Sequence, residues 1–226
     1  MRILITCCGR AGSQYVARLL SACGLFTSHE RVYRPDLEPQ YPERYQLEIQ
    51  DRWNGRDAWG GRPWEACVSW LAAPFLGTLP KDVVAFHQLR DPLKVVRCWA
   101  SHDLLENARR DVGVFIHAVL PQCNHGSRLE RAIQYVLGWT KMIQQHDLLC
   151  HRVEDFDAAR LTAVLRRAEL YDFMPHATNA FGELGQDATV GHCPLDMHMR
   201  LTWDDIVKES GGKELRELAQ HYGYET

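Results

Sequence analysis

Long apolar runs are missing from this sequence. No stretch approaches the ~18 consecutive apolar residues that a bilayer-crossing helix needs, so no membrane span is expected. The first apolar run, Ile3 to Cys8 with Thr6 inside it, is too short for a secretory signal peptide. An excess of one charge is missing as well. Lys+Arg 26 against Asp+Glu 29 leaves a net charge of −3, which offers nucleic acid no global basic field. Lysine is scarce: it supplies 5 of the 26 cations and arginine 21. There is no internal repeat and no low-complexity tract. Cysteine is not scarce, at eight, yet no two stand as C-x-x-C. Cys123-Asn-His125 and His192-Cys193 lack zinc-finger spacing, and no metal site is expected from them. Several cysteines sit inside apolar runs, where a free thiol behaves as a small hydrophobe, so a reducing, cytoplasmic compartment is the expectation.

What is present suits a packed globule of one domain: 226 residues, 46% hydrophobic and 24% charged. Residues 1–113 carry 15 Lys/Arg and 13 Asp/Glu, net +2, whereas residues 114–226 carry 11 and 16, net −5. Arginine forks match phosphate or sulfate oxygens better than a lysine point charge does, which favours the first half for an anion site.

Strand and helix patterns alternate. Arg2-Ile-Leu-Ile-Thr-Cys-Cys8 reads as a fully buried parallel strand. Gly9-Arg-Ala-Gly12 breaks it, and Ser13 is placed to cap a helix with Val16, Leu19, Leu20 and Cys23 on one face, ended by Gly24. Residues 31–64, rich in Pro, Gly and charge, read as a lid or insertion whose tryptophans Trp53, Trp59 and Trp64 stack on a ligand or anchor a loop. Glu65 to Pro74 reads as strand or helix, with Ser69 in the core or facing the pocket. Val83–Leu89 is a second buried strand. Pro92 suits the first position of a helix running to about Asp103. A helix is expected over 128–146, a third strand over Leu148–Val153, a helix over 158–168 capped by Asp157, and one or two short helices from Trp203. Alternation of this kind predicts a three-layer α/β sandwich with a mostly parallel sheet.

Two places carry chemistry. The first is the order strand, Gly9-Arg-Ala-Gly-Ser-Gln14, helix. A tight turn at a helix start presents backbone N–H groups to an anion, and Arg10 and Ser13 add side-chain donors. Glycines placed there for packing alone would read the same. No Lys follows Gly12, so the segment is neither a Walker A loop nor G-x-G-x-x-G, and ordinary ATP or GTP hydrolysis is not expected. The second is Arg90-Asp91-Pro92 at the end of the second strand, where open α/β sheets bind ligands. Arg90 can reach a phosphate over the sheet edge, or stand as a surface charge. Asp91 orients the turn.

Together these segments resemble the sulfotransferases that use 3′-phosphoadenosine-5′-phosphosulfate (PAPS). Gly9-Arg-Ala-Gly-Ser-Gln-Tyr15 is similar to their first motif, and Leu89-Arg-Asp-Pro-Leu-Lys-Val-Val-Arg-Cys98 to their second, R-[ND]-P with a Ser eight residues after the Arg. His151-Arg-Val-Glu-Asp-Phe156 resembles the R-Y-E-D-L segment on a later strand. The three span residues 3 to 156. The resemblance implies a P-loop NTPase-like fold, binding of the 5′-phosphosulfate by Gly9, Arg10, Ala11, Gly12, Ser13 and Gln14, and binding of the 3′-phosphate by Arg90. Two positions depart from the pattern. Cys98 stands where the family has Ser, with Ser101 as the substitute donor almost a turn further on, and Gln14 replaces a hydroxylated residue. The bacterial carbohydrate members place a glutamate after the loop where Glu30 stands here. Glu30 is thus the first candidate general base and His29 the second, unless Glu30 merely pairs with Arg31 or Arg34. The animal enzymes' K-x-H is absent, and His87 lies inside a strand. Arg10 is the candidate for the leaving-group side, and Arg152 and Glu154 are expected to form a structural ion pair. The implied activity is sulfuryl transfer from PAPS to a hydroxyl of a small molecule or carbohydrate, without a metal. The alternatives are a non-catalytic nucleotide-binding protein on the same fold and a P-loop nucleotide or small-molecule kinase.

Overall fold

A computed structural model describes residues 1–30, 64–101, 111–184 and 200–226. The stretch expected as a lid lies outside these residues except for Trp64. So do Trp53, Trp59, Arg31, Arg34, Asp103 and the His192-Cys193 pair.

The centre is a five-stranded sheet, every pairing parallel, in the order β2-β3-β1-β4-β5. The strands are β1 (Arg2–Cys7), β2 (Thr27–His29), β3 (Ala66–Val68), β4 (Val83–Leu89) and β5 (Leu149–Arg152). β1 is the middle strand. It is covered on both faces, which is why its sequence is a continuous apolar run rather than an alternating one. Side chains of one strand point alternately to the two faces. Ile3 and Ile5 pack with Val16, Leu19 and Leu20 of α1 (Ser13–Ala22), with Leu161, Val164 and Leu165 of α5 (Ala158–Arg167), and with Ala177 and Ala180 of α6 (Ala177–Leu184). Leu4 points the other way, into a cluster with Val95, Val96 and Trp99 of α2 (Pro92–Ser101) and Phe115 and Ile116 of α3 (Asp111–Val119). Ile133, Tyr135 and Trp139 of α4 (Arg128–Gln144) belong to the same cluster. Ile206 of α7 (Trp203–Ile206) and Leu215 of α8 (Gly212–His221) close it. The result is the expected three-layer α/β sandwich. No helix among the described residues is long and apolar enough to cross a membrane.

Local chemistry explains several element ends. Gly24, at φ 95°, takes the left-handed conformation that ends α1. Ser127 and Glu130 form a reciprocal cap at the start of α4. The Asp157 carboxylate accepts the Arg160 N–H at 2.8 Å, as its position before α5 predicted. Ser13 does not cap α1. Gly12 holds that position at φ 85°, Ser13 is already helical, and its hydroxyl has another partner described below. Glu65 to Pro74 resolves into β3 followed by a 3₁₀ stretch, Trp70–Thr78, that contains Pro74. Ser69 is fully buried there. Trp64 is an anchor: it is buried and stacks on Phe26 at 4.6 Å.

Candidate functional site

The turn from Cys8 to Gly12 is strained and tightly held. Arg10 has φ 71°, a left-handed conformation that costs a side-chain-bearing residue about 1–2 kcal/mol. Five hydrogen bonds offset that cost. The Ala11 N–H donates to the Cys8 carbonyl at 3.1 Å. The Gly9 N–H donates to Tyr135 Oη at 3.0 Å, and Trp99 Nε1–H donates to the Gly9 carbonyl at 2.9 Å. Gln88 Nε2 donates to the Ala11 carbonyl, and Arg90 Nη1 to the Arg10 carbonyl at 2.8 Å. The aromatic pair explains the first glycine. A Cβ at Gly9 would lie 2.8 Å from Trp99 Cζ2 and 2.9 Å from Tyr135 Oη. Burial pushes the Tyr135 phenol well above its ordinary range, so this hydroxyl stays protonated.

These bonds narrow the expected cradle. The Gly9 and Ala11 amides are engaged inside the protein, so these two residues shape the turn and their N–H groups do not face an anion. The donors that remain include the first-turn amides of α1 at Ser13 and Gln14, which lack intrahelical acceptors, and the guanidinium of Arg10. Arg90 arrives from β4 and meets the same turn.

The second motif is tied down by the third. Asp91 Oδ1 accepts the Leu93 N–H at 2.9 Å and so caps α2, the orienting role expected of it. The Asp91 N–H donates to Glu154 Oε1 at 3.0 Å, and Tyr224 Oη donates to Glu154 Oε2 at 3.1 Å. Arg152 therefore does not pair with Glu154. Its Nε lies 3.1 Å from Asp155 Oδ2, its Nη1 donates to the Gly223 carbonyl at 2.9 Å, and its guanidinium sits 4.4 Å from the Tyr224 ring centroid. Glu154 is drawn instead to the donors that converge on it. Cys98 is buried in α2, and the Ser101 hydroxyl donates to the Arg97 carbonyl at 2.7 Å, one turn back on its own helix.

His29 ends β2 and Glu30 follows it. The Glu30 N–H continues the ladder by donating to the Val68 carbonyl at 3.1 Å, and Glu30 itself takes a left-handed φ of 64°. His29 Nε2 lies 3.0 Å from Ser13 Oγ and 3.5 Å from Glu30 Oε1. The His29 and Glu30 side chains are each 33% exposed. Ser13, His29 and Glu30 thus gather side by side, next to the turn that Arg90 grips. His87 lies elsewhere. It is 1% exposed within β4, and burial pushes its imidazole down to about 4. Among the described residues no group of three or more His, Cys, Asp or Glu is placed to hold a metal ion.

Sequence reasoning missed Tyr135, Trp99, Gln88, Glu154 and Tyr224 as the residues that fix the site. Tyr135 and Trp99 lie 126 and 90 residues from Gly9, and no local pattern links them to it. No family model, curated protein or solved structure matches the chain.

Proposed function

We propose that this protein is a sulfotransferase that moves a sulfuryl group from PAPS to a hydroxyl of a small molecule or carbohydrate. The observation that supports the reading is the hydrogen bond from Arg90 to the Arg10 carbonyl. It brings the glycine turn and Arg90, 80 residues apart, together at the carboxyl ends of adjacent strands, where the reading puts the anion.

On this reading the helix-start amides of Ser13 and Gln14, the Ser13 hydroxyl and Arg10 hold the 5′-phosphosulfate. Arg90 holds the 3′-phosphate, with Cys98 and Ser101 behind it. PAPS supplies an activated sulfuryl group and a bisphosphate leaving group. The acceptor oxygen forms the new S–O bond as the S–O bond to the 5′-phosphate breaks. The acceptor proton passes to Glu30, and Arg10 compensates the charge that gathers on the departing phosphate. In-line transfer of this kind rests on positioning and electrostatics, which suits a turn so heavily braced. His29 stands between Ser13 and Glu30 and is the second candidate for the proton.

A second reading, a nucleotide-binding protein without transfer activity, is favoured by one observation. The second motif offers a buried thiol at Cys98 and a Ser101 hydroxyl already bonded to its own helix. A thermal-shift panel separates the readings. Stabilisation by adenosine 3′,5′-bisphosphate and not by ATP, with sulfate transfer from labelled PAPS to some member of an acceptor panel, is the expected result. Stabilisation without transfer selects the second reading. Stabilisation by Mg-ATP instead selects a kinase.

A further inference from the structure

Arg90 stands in a very short link. β4 ends at Leu89, and α2 starts at Pro92 with Asp91 as its cap. The direction of the Arg90 side chain therefore depends on what holds Asp91. The peptide that joins the two residues is planar, so fixing the Asp91 N–H fixes the backbone rotation that aims Arg90. On its helical side Asp91 is secured by its own bonds: Oδ1 accepts the Leu93 N–H at 2.9 Å, and the carbonyl accepts the Val95 N–H at 3.1 Å. On the side of Arg90 the hold comes from β5 and beyond, because the Asp91 N–H donates to Glu154 Oε1 at 3.0 Å.

Two side chains compete for that carboxylate. Lys94 Nζ lies 3.9 Å from the same Oε1 and pulls Glu154 towards itself, but its side chain is 49% exposed, and an ion pair so open is weak. Tyr224 Oη donates to Oε2 at 3.1 Å from a buried position. Burial, and then the carboxylate itself, push the phenol well up, so the hydroxyl stays protonated and remains a donor. Tyr224 is itself fixed from several sides. Gly223, at φ 75°, follows the end of α8, and the Tyr224 N–H returns to the Ala219 carbonyl at 3.0 Å. Arg152 Nη1 donates to the Gly223 carbonyl at 2.9 Å, and its guanidinium lies 4.4 Å from the Tyr224 ring centroid. Tyr224 also lines one small internal pocket together with Leu89, Arg90 and Pro92, so it abuts the link directly. The ring alone would cover Arg152; the hydroxyl serves Glu154.

We propose that Tyr224 is a positioning residue for nucleotide binding: through Glu154 and the Asp91 N–H it sets the direction from which Arg90 meets a phosphate. The inference rests on the reading of Arg90 as a nucleotide-binding cation. It adds that the segment after α8, 134 residues from Arg90 in the chain, controls the affinity of that site without touching the ligand. Loss of the hydroxyl leaves Glu154 with Lys94 as the rival to the Asp91 N–H, and the carboxylate is then free to turn to the lysine.

The test uses the full chain and calorimetric titration with adenosine 3′,5′-bisphosphate. Tyr224→Phe keeps the ring and removes the hydroxyl. It should weaken binding at least ~3-fold in the parent background and leave it nearly unchanged in Arg90→Ala, where no guanidinium is left to aim. Trp203→Phe is the control. It removes the Nε1–H that donates to the Glu225 carbonyl at 3.2 Å, one residue beyond Tyr224, and should leave affinity unchanged. The amide NMR signal of Asp91 should move in Tyr224→Phe and stay in place in Trp203→Phe, and the same spectra show that each variant is folded. Equal affinity in the parent protein and Tyr224→Phe, or an unmoved Asp91 signal, overturns the proposal and leaves the nucleotide reading standing. An equal loss in the Arg90→Ala background overturns it too, since Tyr224 would then act through another residue. So does an equal loss in Trp203→Phe, which would trace the effect to loosening of the whole segment. A folded parent protein that binds no bisphosphate overturns the nucleotide reading, and the proposal falls with it.

Discussion

The guanidinium of Arg90 donates to the main-chain carbonyl of Arg10 at 2.8 Å. One cation thus braces a residue held at φ 71° in the turn that follows the central strand. Because the carbonyl belongs to the strained residue, the bond and the strain are coupled. Arg90→Ala removes a charge-assisted hydrogen bond and should cost about 1.5–3 kcal/mol, read from urea unfolding. Arg90→Lys keeps the charge without the fork and should recover only part of that loss.

Gly9 is the most sterically constrained position of the site. Gly9→Ala drives a methyl group into Trp99 and Tyr135, with a Cβ 2.8 Å from the nearer ring, and should destabilise by about 1–3 kcal/mol. Tyr135→Phe tests the same contact from the other side. It leaves the buried Gly9 N–H without its acceptor and should cost about 1–3 kcal/mol with no change in ring packing. The double variant should cost less than the sum of the two singles, because both act on one contact.

Acid stability should carry the mark of two buried histidines. Burial pushes His87 down to about 4 and His151 to about 3, from an ordinary value of 6.5. Below 6.5 the unfolded chain binds protons that the folded chain refuses, so stability is full above about pH 6.5 and falls as the pH drops towards 4. For His87 alone the loss over that range is about 3 kcal/mol. Urea midpoints measured from pH 7.5 to pH 4 should fall, and His87→Gln should flatten the decline. An equal decline in His87→Gln would show that other groups set it.

On the proposed reading, Glu30→Gln should lower sulfate transfer by about 100-fold or more and leave adenosine 3′,5′-bisphosphate affinity near that of the parent protein. If His29 takes the proton, His29→Gln should show the larger loss and Glu30→Gln the smaller. Single-turnover assays with labelled PAPS distinguish the two.

The layers of the fold were readable where a pattern ran long enough to show a period. β1, β4, α1, α4 and α5 are each six residues or longer, with apolar spacing that names them. β2 is three residues long, shows no period and was not anticipated; β3, also three, lies in the Glu65 to Pro74 stretch that reads as strand or helix, and it runs straight into a 3₁₀ stretch. α3 and α6 were not anticipated either. In the site, the residues that lie on the turn and at the strand ends were legible, because strand, turn and helix follow one another along the chain. Their supports were not. Glu154 serves Asp91 and Tyr224 across 63 and 70 residues, and Tyr135 reaches Gly9 from another layer. Position alone marks Ser13 as a helix cap. A glycine with no Cβ penalty took that place, and Ser13 turned to His29.

Calorimetric titration with adenosine 3′,5′-bisphosphate tests the central claim most directly. The parent protein should bind one equivalent with micromolar or tighter affinity, Arg90→Ala at least ~10-fold more weakly, and ATP far less well than the bisphosphate in both. No heat from the bisphosphate with folded parent protein, or equal affinity in Arg90→Ala, would contradict the claim that Arg90 and the glycine turn grip one nucleotide.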